Sequence, residues 1–199
     1  MVTDLGLIAG SGWAAGLNLY AVTLVLGVAG RLGWTDVPEL LTRTDVLIVA
    51  GVLYLIEFVA DKVPYLDNLW DVANTVIRPL GAAALGLVLA GESESIGAAM
   101  GALVAGALAL SAHGTKATTR AAVNTSPEPF SNITLSVMED GVAGGLTLLG
   151  IFVPLAALVV ALVLMVAGGF LVFKLWRGLA RLWRRGRLKA RRTGPPTAG

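Results

Sequence analysis

Several apolar runs in this sequence are close to the ~20 residues that a helix needs to cross the hydrocarbon core of a bilayer. One of them, VPLAALVVALVLMVAGGFLVF at 153–173, carries no charge at all. A transmembrane β-barrel would instead show alternating segments of about 10 residues, and these runs do not alternate. The sequence therefore predicts an all-α fold, a polytopic membrane helix bundle.

The pattern predicts about six spans, some of them interrupted or kinked. Residues 66–91 allow two interpretations: one helix kinked at Pro79, or a re-entrant segment followed by a half-helix. A kink or a break at this point is expected, because a proline disfavours helical geometry in the residue before it. The helix after the breaker loop is expected to be capped by Ser131 or Asn132. The spans are placed at about 5–30, 45–61, 66–91, 96–124, 131–151 and from Pro154 onwards.

A charged stretch, EFVADKVPYLDNLWDVANTVIRP, lies between two of these apolar runs, at residues 57–79. Each ionised group near the centre of a bilayer costs roughly 2.5–3.5 kcal/mol on insertion scales. Internal ion pairs or a water-filled cavity must offset that cost. Helical spacing places Glu57 and Asp61 on one face of a helix. The same stretch continues with Asp67, Asp71 and Arg78 at helical spacing, and these five residues form a first candidate ion-binding set.

A second polar set follows further along the chain. His113, Lys116 and Arg120 are spaced to form one polar stripe on a helix, and Asn124 lies four residues beyond them. Adjacent helical residues point about 100° apart, so Glu139 and Asp140 in a later span need different partners. We expect one of the two acids to pair with Lys116 or Arg120. Asn18, Asn124 and Asn132 are candidate supporting residues.

Two functions remain open for these charges. In the first, the protein is a small secondary transporter or channel-like protein, whose acids hold a cation or proton while the bases assist an anionic solute. In the second, it is a non-transporting scaffold or lipid-interacting protein, and the charges are structural ion pairs. A unit of apolar helix, charged stretch, proline and apolar helix occurs twice, at about 45–91 and 96–151. Internal repeats of this kind are common in transporters.

An enzyme is not expected, because the SxxK and GxSxG nucleophile motifs are absent. The chain has no cysteine and one histidine, which excludes thiolate chemistry and multi-histidine metal centres. No cofactor or metal is therefore predicted. The first residues carry Asp4 and no basic segment, so a cleaved signal peptide is not expected.

The C-terminal segment KLWRGLARLWRRGRLKARR contains nine of the 15 Lys and Arg residues, and it divides the chain into a transmembrane domain (1–173) and a basic tail (174–199). Basic segments beside a membrane bind anionic lipid headgroups with about 1 kcal/mol per Lys or Arg. Nucleic-acid binding is not expected. Because cytoplasmic loops are enriched in Lys and Arg, six spans place both termini in the cytoplasm. The sequence leaves homo-oligomerisation open.

Two long charged motifs resemble those of a known family. They are EFVADKVPYLDNLWDVANTVIRP and HGTKATTRAAVNTSPEPFSNITLSVMED, which occur in order and lie within the first ~170 residues. Together they resemble a family of small bacterial multi-pass membrane proteins that is catalogued only as a domain of unknown function. The resemblance implies a location in the bacterial inner membrane and implies no activity.

Overall fold

The computed structural model describes residues 2–63, 66–91, 95–123 and 129–192, and these ranges form helices and turns without a β-strand. The prediction of an all-α fold is confirmed. The helices are α1 (Val2–Arg31), α2 (Glu39–Thr42), α3 (Thr44–Ala60), α4 (Leu66–Leu89), α5 (Ser95–Val123), α6 (Pro129–Phe152) and α7 (Pro154–Arg192).

Five of the described helices, α1 and α4 to α7, are long and apolar enough to cross a membrane. The chain is therefore a multi-pass membrane protein. The remaining predicted span, α3, has 17 residues, which corresponds to about 26 Å at 1.5 Å per residue. A sixth crossing stays a prediction. Large apolar side chains such as Val72, Leu103 and Val166 are exposed on the outer faces of the helices, where a bilayer would cover them.

Helix α1 lies at the centre of the bundle and contacts each of the other described helices. In its apolar segment 61% of the residues are buried, compared with 17% in α7. Small residues make this central position possible. At Gly12 and Gly16 an added Cβ would collide with the backbone of Ala105 and Ala109 in α5. Glycine lets two membrane helices approach more closely than any side chain would permit.

The backbone of α1 is interrupted at Asn18, where φ is −152° and ψ is 97°. We call residues 2–17 the first half of α1 and residues 19–31 the second half. The first half packs on α5, α6 and α7, with Gly6 against Pro154 of α7. The second half packs on α2, α3 and α4, with Gly27 against Leu41 of α2. The two halves of one helix thus rest on different neighbours.

One of two local predictions about helix ends needs correction. At Arg78–Pro79 a kink or a break was expected, and α4 runs through Pro79 as one helix, which selects the single-helix interpretation of 66–91. Neighbouring helices in a membrane bundle can satisfy the backbone groups that a proline releases. Ser131 and Asn132 were expected as caps, but α6 already begins at Pro129. Proline is favoured in the first turn because its missing N–H would have no helical partner there.

Candidate functional site

The candidate site begins at the interruption of α1. The Asn18 side-chain oxygen accepts a hydrogen bond from the Ala21 backbone N–H at 2.9 Å. This is the geometry of an N-cap, in which a residue with extended backbone angles satisfies an amide three residues later. Asn18 therefore starts the second half of α1 as a separate helix. Its side-chain amide donates to Asp140 Oδ1 of α6 at 2.9 Å.

The interruption also exposes backbone carbonyls to two cations. Arg78 Nη1 donates to the Gly16 carbonyl at 3.3 Å, and Lys116 Nζ donates to the Leu17 carbonyl at 3.2 Å. The end of a helix carries partial negative charge and its start carries partial positive charge. The cations therefore face the end of the first half, and Asp140 faces the start of the second half. The break and the charged side chains are electrostatically complementary.

Four ionised side chains form a closed ring between α3, α5 and α6, which we call the four-ion ring. Lys116 Nζ lies 2.7 Å from Asp61 Oδ2 and 3.4 Å from Glu139 Oε2. Arg120 Nη2 lies 3.1 Å from Asp61 Oδ2 and 2.6 Å from Glu139 Oε2. Arg120 Nη1 also donates to the Asp61 backbone carbonyl at 2.9 Å. Each cation bridges the same two carboxylates. Because the ring contains two positive and two negative charges, it carries no net charge.

Lys116 Nζ also lies 3.7 Å from Glu57 Oε1, and this contact connects the ring to a second group around Arg78 of α4. Arg78 Nη2 donates to Glu57 Oε1 at 2.5 Å, and its Nη1 lies 3.5 Å from Asp71 Oδ1. Nη1 is also 3.0 Å from His113 Nδ1. A guanidinium can only donate, so Nδ1 must be the acceptor. The proton of this neutral imidazole is then on Nε2, which lies 3.1 Å from Thr75 Oγ1.

The site is largely buried, with Asp140 partly exposed, and it holds more acids than bases. The side chains of Glu57, Arg78 and Arg120 are fully buried, and those of Asp61, Lys116 and Glu139 are nearly so. Buried charges persist only when ion pairs and hydrogen bonds compensate their desolvation. The carboxylates in the site are Glu57, Asp61, Asp71, Glu139 and Asp140, and the permanent cations are Arg78, Lys116 and Arg120.

Lys62 lies at the edge of the site, in the turn after α3. Its ammonium donates to the Phe58 carbonyl at 2.9 Å and lies 2.9 Å from the centre of the Phe58 ring. Burial lowers the pKa of Lys62, and the charges of Asp140 and Asp61 act in the opposite direction. Lys62 is thus a peripheral cation that partly offsets the excess of acids.

The structure brings most of the predicted site residues together. Asn132 is buried on α6. The Asp67 side chain and all of Asn124 lie outside the described residues. Thr75 and the two carbonyls of α1 were not predicted, because nothing in the sequence marks a carbonyl as free. The predicted residues found in one connected site are Asn18, Glu57, Asp61, Asp71, Arg78, His113, Lys116, Arg120, Glu139 and Asp140.

An open cleft of about 430 Å³ lies between the second half of α1, α3 and α4. Its walls are largely apolar and include Leu53 and Leu85, with Tyr20, Thr23 and Asp45 as polar members. Its size falls within the 300–1,000 Å³ of small-molecule sites. Tyr20 is two residues from the break in α1 and lies within electrostatic range of Glu57 and Arg78. The cleft therefore approaches the buried site from one side.

Within the described residues, no group of three or more His, Cys, Asp or Glu side chains is placed to hold a metal ion.

The chain belongs to the family described as domain of unknown function DUF4126, whose model matches residues 5–174. The match covers both charged motifs and ends at the start of the basic tail. No curated protein matches the chain, and no solved structure does.

Proposed function

We propose that this member of the DUF4126 family is a small ion-coupled secondary transporter in which Asp140 carries the exchanged proton or monovalent cation. One observation carries the proposal: Asp140 is hydrogen-bonded to Asn18, at the interruption of the central helix. Discontinuous membrane helices commonly form the substrate and ion sites of secondary transporters. Ionisable residues within membrane spans are by default candidates for such sites.

Charge balance supports the choice of Asp140. The four-ion ring is neutral by itself. Arg78 lies beside two acids, Glu57 and Asp71, and its single positive charge offsets one of them. Asp140 has a neutral amide as its hydrogen-bonding partner, and its Oδ2 is buried without a protein partner. An uncompensated carboxylate in a low-dielectric site takes up a proton or a cation. Asp140 is the acid whose charge changes with the least disturbance of other ion pairs.

The mechanism follows from the position of Asp140 against the second half of α1. Ionised Asp140 is attracted to the partial positive charge at the start of this half-helix. When a proton or cation neutralises Asp140, the attraction weakens and the second half can tilt about Asn18. The first half stays fixed on α5 and α7 by contacts at Gly12 and Gly6. Such a hinge at the site is one form of alternating access.

The apolar cleft would take the transported solute. It is lined by residues of the second half of α1, so a tilt of that half would change its shape. We propose a small, mainly apolar solute whose polar group faces Tyr20 and Thr23. Lys116 and Arg120 were predicted to assist an anionic solute. Both are engaged by Asp61 and Glu139, so we assign them to the scaffold of the site.

For the membrane setting we propose the bacterial inner membrane, with both termini in the cytoplasm. The basic C-terminal part of α7 supports this orientation, since Lys and Arg are enriched on the cytoplasmic side. Lys174, Arg177 and Arg181 are exposed there. We expect them to contact anionic lipid headgroups.

A structural scaffold is the second candidate function. It is favoured by the closed ion pairs, because Lys116 and Arg120 are almost completely buried and fully engaged with carboxylates. In that case all charges serve to fix the packing of the helices, and no ion or solute exchanges. The two candidates differ in whether the folded protein binds ions.

The test is the thermal stability of purified protein in detergent, measured across pH, with Na⁺, K⁺ or Li⁺ and with small solutes. A ligand that binds only the folded state at 100 times its Kd stabilises it by about 2.7 kcal/mol. We expect the melting temperature of the wild type to respond to pH or to one cation, and Asp140→Asn to abolish that response.

Asp36→Asn is the matched control, because Asp36 is exposed and does not line the cleft. It should respond as the wild type does. A wild type that responds to no ion, or an Asp140→Asn variant that responds like the wild type, would favour the scaffold.

A further inference from the structure

A stripe of polar atoms on α4 has no protein partner. Trp70, Asn74 and Arg78 are spaced four residues apart, so they follow one face of the helix. The Trp70 Nε1, the Arg78 Nε and both polar atoms of the Asn74 side chain are buried and make no hydrogen bond to the protein. Asn74 is 1% exposed and Arg78 is completely buried.

The opposite face of α4 is apolar, so these polar side chains follow only one face of the helix. Val72 and Val76 flank Asn74 in sequence, and they are 70% and 61% exposed on the outer surface of the bundle. The outer face at these two positions is therefore apolar, and the polar side chains of Trp70, Asn74 and Arg78 lie on the buried face. In native proteins almost every buried polar group is hydrogen-bonded, and ordered water supplies the partner where the protein does not.

The geometry points to a file of water molecules along the buried face of α4, from Trp70 through Asn74 to Arg78. Four residues of helix advance about 6 Å, so the gaps between the three side chains match one or two waters each. Each water would find donors and acceptors on the stripe, as buried waters require. The Asn74 side chain offers both kinds of group.

The file ends at the buried ion network. Arg78 contacts Glu57 and His113, and Trp70 is only half-buried, one turn after the start of α4. The file therefore connects the aqueous phase at that end of the bundle with the site. Its role as the ion entry route rests on the proposed function, whereas the presence of water does not.

The test uses the absence of native cysteine. Asn74→Cys is placed in the full chain in proteoliposomes, and its reaction with Ag⁺ is followed. A thiol must ionise to bind the metal, which requires water. We expect Asn74→Cys to react at least about tenfold faster than Val76→Cys, the lipid-facing control on the same helix. Equal rates in two folded variants would overturn the proposal.

Asn74→Cys could fail to fold, so a second measurement uses the wild type. Hydroxyl radicals generated from water by an X-ray pulse modify side chains that touch ordered water. We expect Trp70 to be labelled in the wild type and less labelled in Asn74→Leu, whose side chain has a similar size and no polar atoms. Background labelling of Trp70 in the wild type would contradict the water file.

These outcomes are independent of the ion-binding test. A hydrated stripe together with an ion-insensitive protein would reject the transporter and retain the water file. A dry stripe together with an ion response lost in Asp140→Asn would reject the water file and retain the transporter.

Discussion

Arg120 is an example of a single side chain in this site that holds two carboxylates. Its guanidinium is fully buried between Asp61 and Glu139. Removing one partner of a buried ion pair leaves an uncompensated charge and costs about 3–5 kcal/mol. We expect Arg120→Met to lower the free energy of unfolding by that amount, measured by denaturant titration in detergent. Arg177→Met is the control, because Arg177 is exposed on α7, and it should change stability by less than about 0.5 kcal/mol.

The reason for this loss can be tested with a second substitution. If the penalty arises from excess negative charge, Arg120→Met combined with Glu139→Met should be more stable than Arg120→Met alone, because Lys116 then pairs with Asp61 and no longer has to offset Glu139 as well. A double variant less stable than Arg120→Met would show that the side chains act through packing instead.

Asn18 has two roles that substitutions can separate. Asn, Asp and Ser are comparably good N-caps, so Asn18→Ser keeps the cap and loses the hydrogen bond to Asp140. Asn18→Asp keeps the cap but places a second carboxylate beside Asp140, and like charges in a buried site repel. We expect Asn18→Asp to be clearly less stable than Asn18→Ser at neutral pH in thermal unfolding. Equal stability of the two variants would contradict the close approach to Asp140.

At the residue scale the sequence singled out most of the charged residues that the structure brings together, and their role as an ion-binding site stays a prediction. Acids and bases inside apolar runs are costly, and that cost alone identified Glu57, Lys116, Arg120 and Glu139. The partner of Asp140 could not be derived, since the sequence offers no way to choose among the cations and amides of four other helices. The partner is Asn18, 122 residues away, and only the packing of α1 against α6 brings them together.

At the scale of elements, the central position of α1 depends on glycine. A Cβ at Gly16 would collide with the Ala109 carbonyl and the Ala112 side chain. We expect Gly16→Ala to destabilise the fold by about 1–3 kcal/mol, the usual cost of overpacking, in unfolding experiments in detergent. Gly141 of α6 has open space around its Cα. Gly141→Ala should be neutral or stabilising by about 0.5–1 kcal/mol, because alanine favours a helix.

Equal effects of the two substitutions would mean that α1 and α5 do not approach closely at Gly16. The prediction is therefore a test of the helix packing itself, independent of any function.

The location of the helix break shows where sequence reasoning about elements fails. Proline is the strongest local signal for a kink or a break, and it pointed to Pro79, where α4 continues as one helix. The break occurs at Asn18, between apolar residues with no proline nearby. Its stability comes from tertiary contacts, since Arg78 and Lys116 hydrogen-bond the released carbonyls. Local propensity could not predict an interruption that depends on side chains of two other helices.

For the whole molecule, the topology is decided by α3, whose 17 residues are the shortest of the predicted spans. Single cysteines in the cysteine-free chain can report it. We expect Leu32→Cys to react with an impermeant thiol reagent from outside the cell, and Val63→Cys and Arg177→Cys only after the membrane is opened. Labelling of Leu32→Cys and Val63→Cys from the same side would show that α3 does not cross, and that five spans are the correct number.

Length and apolar content sufficed to predict the class of the whole molecule, because a bilayer admits few solutions for such a chain. The same reasoning could not show that α1 is the central helix. Its position depends on small residues such as Gly12 and Gly16, which in a sequence could equally mark a loop or an oligomer contact. Their role became visible only with the backbone of α5 beside them.

The most direct test of the account is proton movement in proteoliposomes that enclose a pH-sensitive dye, driven by a potassium diffusion potential. The comparison includes the wild type, Asp140→Asn and the exposed control Asp36→Asn. We predict that protons enter vesicles containing the wild type and Asp36→Asn faster than empty vesicles, and that Asp140→Asn abolishes this difference. Proton entry through Asp140→Asn at the wild-type rate, or no entry through the wild type beyond that of empty vesicles, would contradict an exchangeable proton at the break in α1.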